Sequence, residues 1–364
     1  MKIGIITFHF PFNYGAALQA YAMQAKLSLM GHEAFIIDYR PEYHTRQYSR
    51  GRTWGNCFHS PFWQSPIRVF FKLFNDLDKK RAKNFDRFSQ KYFSLYPYSE
   101  KSDFSELDCI LLGSDQIWSQ EHTDHRFDGP YYGDGFKCRV FSYAASNRAT
   151  SLTDNERETY ISKLKQLSHI GVREQRLQEL LQPLTEKKVV LTVDPTILAG
   201  QEVFGSLKLT RQMKDRYVLL YQIPFYPEVF KMAKNFADSI NAKLVSLVDR
   251  PNPKYRKDAD LIAGPEEFLS YFKYAECIFT TSFHGTAFSL IFNKNFYSIR
   301  QNTSADIRIE SILGQIGLND RFIDMLVEPT FKSIDYDLVN PKVNLIRQSS
   351  EEFLISAINN KPLE

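Results

Sequence analysis

The segment 276–291 constrains the fold of this chain more than any other part of the sequence. It begins as a short apolar run with strand composition, breaks at small polar residues around His284, and continues with helix composition. Open α/β sheets bind ligands where a strand ends in such a turn before a helix. The amide N–H groups and the dipole of the first helical turn favour an anion there. The sequence therefore predicts an α/β fold with an anion site at His284.

Alternating strand-like and helix-like segments predict two doubly wound α/β domains facing a cleft. The length of 364 residues agrees, at ~150 residues per domain. We expect an N-terminal Rossmann-like domain over residues 1–205 and a C-terminal one over residues 206–335. A last helix, within residues 336–364, is expected to pack back on the N-terminal domain.

Residues 40–100 read as a basic helical insertion in the first domain. A long amphipathic helix is predicted from Pro66 to about Tyr92. One face is apolar, and the other carries Lys72, Lys79, Lys80, Arg81, Lys83, Arg87 and Lys91. Such a face is either solvated or lies near a membrane or polyanionic lipid headgroup.

Charge and cysteine usage narrow the class of protein. The net charge of +4 is too mild for a dedicated nucleic-acid binder and is compatible with anionic substrates or an anionic membrane surface. Cys109 and Cys277 lie in apolar runs, which indicates buried free thiols and a reducing compartment. The N-terminus enters a strand directly, and no run approaches the ~18 apolar residues of a spanning helix. We expect a cytoplasmic protein, with contact at the inner face of the membrane left open.

A second polar turn follows the strand-like run 107–112. It reads Gly113-Ser114-Asp115-Gln116-Ile117-Trp118 and occupies the ligand side of a parallel sheet. Asp115 is a candidate general base, or a hydrogen-bond acceptor that orients a hydroxyl group. Alternatively, it caps a following helix. Trp118 is either a platform for a sugar or a core residue.

Other motifs are informative mainly by what they exclude. The turn Asn13-Tyr14-Gly15 follows the first strand but lacks GxGxxG spacing, so a dinucleotide is not supported. The pair Asp194-Pro195 is predicted to end regular structure. Zinc spacing, a P-loop and a nucleophile elbow are not found in the sequence, so we expect no metal and no cofactor.

Six segments, in this order, make the chain resemble the polysaccharide pyruvyl transferase family. They are Asn13-Tyr14-Gly15-Ala16 with Leu18-Gln19-Ala20-Tyr21, Gly113-Ser114-Asp115-Gln116-Ile117-Trp118, Tyr143-Ala144-Ala145-Ser146, Val172-Arg173-Glu174, Asp194-Pro195-Thr196 and Ser282-Phe283-His284-Gly285. The resemblance covers about residues 2–325 and implies a GT-B-like pair of domains. It also implies transfer of pyruvate as a ketal from phosphoenolpyruvate to a sugar of a cell-surface polysaccharide or its lipid-linked precursor. One departure is Asn147-Arg148, where the family usually has Phe-Gly.

The resemblance places phosphoenolpyruvate at the His284 motif, so residues 206–335 are expected to form the donor side and residues 1–205 the acceptor side. Its phosphate and carboxylate require positive charge and fixed N–H donors. His284 is expected as acid or phosphate contact, and Asp115 as the group that orients or deprotonates the acceptor hydroxyl. The residues expected to bind substrate are Arg173, Arg308, Lys294, Ser282, Gly285, Asn13, Tyr14, Gly15, Ser114, Gln116, Trp118 and Arg148. The expected partners are phosphoenolpyruvate and a glycan acceptor, with a lipid-linked acceptor left open; no nucleic acid is expected.

Plainer interpretations stay open at this stage. In these interpretations His284 caps a helix and has all its hydrogen bonds satisfied. Arg173 pairs with Glu174 or a buried carboxylate, and Lys294 is a surface turn residue. At the level of function, the alternatives are a GT-B glycosyltransferase with a nucleotide-sugar donor and a non-catalytic sugar-phosphate binding protein. The sequence does not indicate an oligomeric state.

Overall fold

Two parallel sheets form the framework of the computed structural model. The structure describes residues 1–10, 12–44, 66–102, 104–248 and 259–362. Within residues 66–102, side chains are described from residue 76 onward. The first sheet has seven strands in the order β3-β2-β1-β4-β5-β6-β7. Its strands are β1 Lys2–Ile6, β2 Glu33–Ile37, β3 Leu95–Tyr96, β4 Cys109–Leu112, β5 Arg139–Ala145, β6 Leu167–Val172 and β7 Val189–Leu191.

The second sheet has six strands in the order β10-β9-β8-β11-β12-β13. Its strands are β8 Tyr217–Tyr221, β9 Lys243–Leu247, β10 Ala259–Asp260, β11 Cys277–Thr280, β12 Asn295–Ile299 and β13 Phe322–Ile323. The helices around both sheets are α1 Tyr14–Leu29, α2 Pro66–Tyr92, α3 Asp154–Lys165, α4 Gln175–Leu181, α5 Pro195–Phe204, α6 Pro227–Ser239, α7 Pro265–Tyr274, α8 Phe283–Ile291, α9 Asp306–Ile316 and α10 Tyr336–Asn359.

The predicted pair of doubly wound α/β sheets, a GT-B-like arrangement, is confirmed. The central strands β4 and β11 are buried along their whole length, as strands covered by helices on both faces must be. In each sheet the strand order reverses beside the first strand of that half, β1 or β8. Such a reversal opens a crevice outside the carboxyl ends of the strands.

The pair Asp194-Pro195 starts a helix, so the prediction that it ends regular structure is wrong. Asp194 is the N-cap of α5, and its side chain accepts a hydrogen bond from the amide N–H of Thr196. Pro195 occupies the first helical position, where its missing N–H has no intrahelical partner to lose. A carboxylate from the first sheet is thereby fixed at the start of α5.

The basic face of α2 is not uniformly solvated. Arg81 is only 4% exposed and donates to the carbonyl oxygen of Phe12 at 3.2 Å. Arg87 and Lys91 pair with Glu267 and Glu266 at the start of α7, at 3.1 and 2.8 Å. Arg87 and Lys91 therefore bind α2 to α7, which supplies the complementary carboxylates, and Arg81 binds it to the segment before α1.

The remaining basic residues of that face divide into two groups. Lys79, Lys80 and Lys83 are exposed, as the solvated interpretation predicts. The side chain of Lys72 lies outside the described residues.

Within the part of the chain that the structure describes, no helix combines the length and apolar character needed to cross a membrane.

Helix α10 lies against the first sheet and against α5. Arg139 at the start of β5 donates to the carbonyl oxygens of Ala357 and Ile358. Ser350 accepts a hydrogen bond from the amide N–H of Val193 at 3.0 Å. The C-terminal helix thus borders the segment that leads into Asp194.

Tyr14 is a core residue at the contact between α1 and the second half, so its expected place in the substrate site is corrected. It is 1% exposed, its hydroxyl donates to the carbonyl oxygen of Ala263 at 2.8 Å, and its ring stacks on Phe268 at 4.4 Å.

Tyr14→Phe is expected to lower the free energy of unfolding by about 1 kcal/mol, because the buried carbonyl loses its donor. Urea unfolding measures this loss of stability.

Candidate active site between the two sheets

A cavity of about 590 Å³ lies where the carboxyl ends of the two sheets face each other. The first half contributes Phe8, Asn13, Ala16, His44, Asp115, Gln116, Glu121, His122 and Arg148. The second half contributes Tyr221, Ile223, Pro224, Tyr226, Thr281, Ser282, Phe283, His284, Gln301, Thr303, Ser304, Ala305 and Arg308. The cavity therefore brings together seven of the predicted residues: Asn13, Asp115, Gln116, Arg148, Ser282, His284 and Arg308.

His284 lies in the first turn of α8, one residue after that helix begins. Ser282 is the N-cap and makes no side-chain capping hydrogen bond, which leaves the first-turn amide N–H groups for another acceptor. Gly285 serves the packing of this turn rather than the cavity, because a Cβ there would lie 2.0 Å from Thr280 Oγ1. The helix start can therefore approach strand β11 closely, which sets the position of His284.

The imidazole of His284 is enclosed but not satisfied. The residue is 8% exposed, and its Nε2 atom has no hydrogen-bond partner within the described residues. The nearest carboxylate oxygen is Asp194 Oδ2, at 3.7 Å. Gly15 lies over the face of the ring, because a Cβ there would come within 2.1 Å of Nδ1, 2.5 Å of Cε1 and 2.7 Å of Cγ. Gly15, expected to bind substrate, instead makes room for His284.

Arg173 is almost completely buried among carboxylates. Its Nη1 atom lies 2.6 Å from Asp194 Oδ2 and its Nε atom 3.2 Å from Glu174 Oε1. Burial would lower the pKa of Arg173, but the charges of Glu174, Asp194 and Asp115 raise it. The interpretation in which Arg173 pairs with buried carboxylates therefore describes it better, and the guanidinium does not line the large cavity.

Arg308 and Arg148 differ from Arg173 in their contact with the cavity. Both line the cavity, and the Nε atom of each lacks a hydrogen-bond partner among the described residues. Burial and the charges of Arg173 and Arg148 lower the pKa of Arg308 to about 9, and burial lowers the pKa of Arg148. Arginine stays charged at neutral pH. An anion in the cavity would relieve this crowding of positive charge.

The ring of Phe283 lies close to two of these cations. The guanidinium of Arg173 is 5.0 Å from the ring centroid of Phe283, and that of Arg308 is 5.7 Å away. Contacts of this kind contribute ~0.5–2 kcal/mol each, more when they are desolvated. Phe283 thus holds one arginine from each half beside the first turn of α8.

Asp115 and Gln116 lie on the facing wall. No helix begins within the described residues 113–128, so the interpretation of Asp115 as a helix cap is wrong. Its Oδ1 atom accepts a hydrogen bond from the amide N–H of Gln116 at 2.9 Å. Gln116 is buried, and its Oε1 atom has no partner within the described residues. The Oε1 atom of Gln116 is therefore available to a ligand at this wall, beside the carboxylate of Asp115.

Besides Arg173, Tyr14, Gly15 and Gly285, three more predicted binding residues do not line the cavity. Ser114 is buried and donates to the carbonyl oxygen of Ala144 at 3.0 Å. Trp118 is a core residue, whose indole donates to the carbonyl oxygen of Tyr131 at 2.9 Å and stacks on Tyr132. Lys294 comes directly before β12, so it lies at the opposite edge of the sheet from His284.

Sequence reasoning missed several cavity residues. His122 and Glu121 lie in the long connection after β4, and Gln301, Thr303 and Ser304 follow β12. Position after a parallel strand is a signal that could have identified all five. Burial, with the charge of Arg148 also contributing, lowers the pKa of His122. This imidazole is therefore neutral at pH 7 and able to accept a proton.

The fold and cavity define a two-sheet α/β protein of GT-B-like architecture with a cation-lined cleft. The chain belongs to the polysaccharide pyruvyl transferase family, whose sequence profile matches residues 13–303. No curated protein matches the chain significantly.

Among solved structures, the chain is similar to UDP-GlcNAc 2-epimerase from Neisseria meningitidis bound to UDP-GlcNAc. The identity is 12%, over 98% of this chain and 94% of that one, with a TM-score of 0.47. It is also similar to UGT89C1 from Arabidopsis thaliana, with 11% identity, 99% and 97% coverage and a TM-score of 0.47.

Proposed function

We propose that this protein transfers pyruvate as a ketal from phosphoenolpyruvate to two hydroxyls of a sugar, with release of phosphate. The observation that carries the proposal is the convergence of Arg148, Arg308, His284 and the first turn of α8 on one cavity. The Nε atoms of Arg148 and Arg308 have no hydrogen-bond partner within the described residues, and the Nε2 atom of His284 has the Asp194 carboxylate at 3.7 Å. A small dianion or trianion is the ligand that such a site favours.

The reaction balances without any further reactant. A proton adds to the methylene carbon of phosphoenolpyruvate, which becomes the methyl group, and C2 becomes electrophilic. One sugar hydroxyl oxygen bonds to C2 and loses its proton, and the C2–O bond to phosphate breaks with its electron pair. The second hydroxyl bonds to C2 and loses its proton, which closes the ketal. The two hydroxyl protons thus replace the one taken up by carbon and the one that phosphate carries away.

The two walls of the cavity divide this chemistry. His284, with Arg308 and the α8 amides, would hold the phosphate and supply the proton to carbon. Asp115 and the neutral His122 on the first-half wall would orient the acceptor and take the proton of the attacking hydroxyl. The acceptor glycan, lipid-linked or not, would approach from that wall.

Binding and product measurements together test the proposal. Calorimetry with phosphoenolpyruvate and with UDP-sugars separates the pyruvyl donor from a nucleotide-sugar donor. Phosphate release is expected only when a suitable glycan is present, and mass spectrometry should find the carboxyethylidene adduct on that glycan. Binding of a UDP-sugar without binding of phosphoenolpyruvate would instead identify a glycosyltransferase. Donor binding without phosphate release from any of a panel of lipid-linked and nucleotide-linked sugars would indicate a binding protein.

Arg308→Met is expected to raise the Kd for phosphoenolpyruvate by at least about tenfold. A hydrogen bond to a charged group contributes ~1.5–3 kcal/mol, and methionine keeps the packing on Phe283 while removing the charge. Arg216→Met is the matched control, because Arg216 is an exposed arginine paired with Glu276 and does not line the cavity. An unchanged Kd in Arg308→Met would remove this residue from the donor site.

A further inference from the structure

Asp194 connects the two halves of the protein at a single carboxylate. It is 1% exposed and reaches the site from the start of α5, on the first-half side. Its Oδ1 atom accepts from the amide N–H and the hydroxyl of Thr196, at 2.9 and 2.7 Å. Its Oδ2 atom accepts from Arg173 at 2.6 Å and from Ser114 at 3.3 Å, and it is the atom nearest His284.

The carboxyl group of Asp194 is ionised in this setting. Burial alone would raise its pKa, but the contact with His284, the charge of Arg173 and the amide N–H of Thr196 hold the pKa well below its usual range. Arg173 also pairs with Glu174, so its positive charge is divided between two carboxylates. Negative charge therefore remains to act on the imidazole of His284.

The ring of His284 has little freedom to move away from this carboxylate. Gly15 lies over the face of the ring at Nδ1, Cε1 and Cγ, and Nε2 is enclosed on the side of Asp194. A neutral imidazole protonated on Nδ1 would direct the Nε2 lone pair at the carboxylate, which is repulsive. A ring protonated on Nε2 would direct an N–H at Oδ2, and the 3.7 Å separation needs to shorten by less than 1 Å for a hydrogen bond.

We propose that Asp194 is a positioning residue for His284, an inference that rests on the proposed function. It holds the proton of the neutral ring on Nε2 and stabilises the imidazolium, so that Nδ1 is the atom that contacts the donor and gives up a proton. The 3.7 Å separation of Nε2 and Oδ2 shortens to a hydrogen bond when the donor binds, as active-site contacts commonly do. Asp194 touches neither the donor nor the acceptor and acts only through His284.

The plain alternative is that Asp194 serves only the fold. As N-cap of α5 and partner of Arg173, it would be expected to be important for stability whatever His284 does. Loss of activity in Asp194→Asn is therefore not sufficient, and the test needs a readout at the imidazole. Nitrogen NMR of the histidine rings gives that readout without any substrate.

The first experiment records the ring ¹⁵N signals of histidine-labelled protein over a pH series, so that the neutral ring is observed. The His284 signals are identified by their loss in His284→Gln. We expect the neutral wild-type ring to carry its proton on Nε2 and Asp194→Asn to lose this preference. Thr196→Val, which removes a donor from the other carboxylate oxygen only, should keep it. A proton on Nδ1 in the wild-type protein overturns the proposal even if Asp194→Asn does not fold.

The second experiment measures phosphate release in a double-mutant cycle. Asp194→Asn is expected to lower kcat by at least about 10²-fold in the wild-type background and to cause no further loss in His284→Gln. A further loss in that background would assign Asp194 to the fold alone. If the wild-type protein shows the Nε2 preference but never acts on phosphoenolpyruvate, the proposed function fails while the positioning of His284 stands.

Discussion

Replacing His284 with glutamine is expected to lower phosphate release from phosphoenolpyruvate by at least about 10²-fold in a protein that remains folded. General acid catalysis by a positioned side chain contributes ~10²–10⁴-fold, and glutamine has no titratable group to supply it. The amide approximates the size of the ring, so the enclosed space between Gly15 and Asp194 stays largely filled. Steady-state assays of phosphate release with a glycan acceptor measure the effect.

The matched control is His125→Asn. His125 is exposed and does not line the cavity. Its φ of +57° falls in the left-handed region, which asparagine tolerates better than most residues. His125→Asn should keep wild-type activity, which shows that the loss in His284→Gln is specific to this histidine. Full activity of His284→Gln would exclude an essential role for its imidazole.

The location of the site could be predicted because parallel strands place their carboxyl ends at one edge. The polar turns after β4 and β11 were both assigned to that edge from sequence, and Asp115 and His284 line one cavity. Applied throughout, the same rule would also have identified Gln301 after β12. The rule gives the wall of a cleft but not the contacts of each side chain.

Charge compensation could be predicted only in part. The sequence offered pairing of Arg173 with Glu174 or a buried carboxylate as one interpretation, but it did not identify Asp194 or separate Arg308 and Arg148 from Arg173. The fold brings Asp194 to 2.6 Å from Arg173, across a separation that local patterns do not report. Arg308 and Arg148 keep unpartnered Nε atoms at the cavity. Which cation is available to a ligand therefore depends on tertiary pairing.

The direction of the strand explains another error. Lys294 lies close in sequence to the His284 motif, yet it precedes β12 instead of following it. In the parallel pair β11–β12, Cys277 is opposite Asn295, so Lys294 lies beside the beginning of β11. His284 follows the end of that strand. One helix separates the two residues and carries the chain from one edge of the sheet to the other.

Gly15→Ala is expected to reverse the usual effect of this substitution in a helix. Alanine normally stabilises a helix interior by ~0.5–1 kcal/mol relative to glycine. Here the added Cβ would lie 2.1 Å from His284 Nδ1, so the ring must leave its place. The ring is enclosed on its other side near Asp194, and we therefore expect lower stability together with a loss of activity comparable to that of His284→Gln.

Urea unfolding of four proteins tests whether the clash is with His284 itself. The four are the wild type, Gly15→Ala, His284→Ala and the double variant. In the His284→Ala background the ring is gone, so Gly15→Ala should become neutral or stabilising. Gly314→Ala in α9 is the control for helix propensity, because its Cβ would meet only Asn319 Oδ1, at 3.8 Å. If Gly15→Ala is fully active, the ring is not held against α1, and the position of Nδ1 on which the proton transfer depends is wrong.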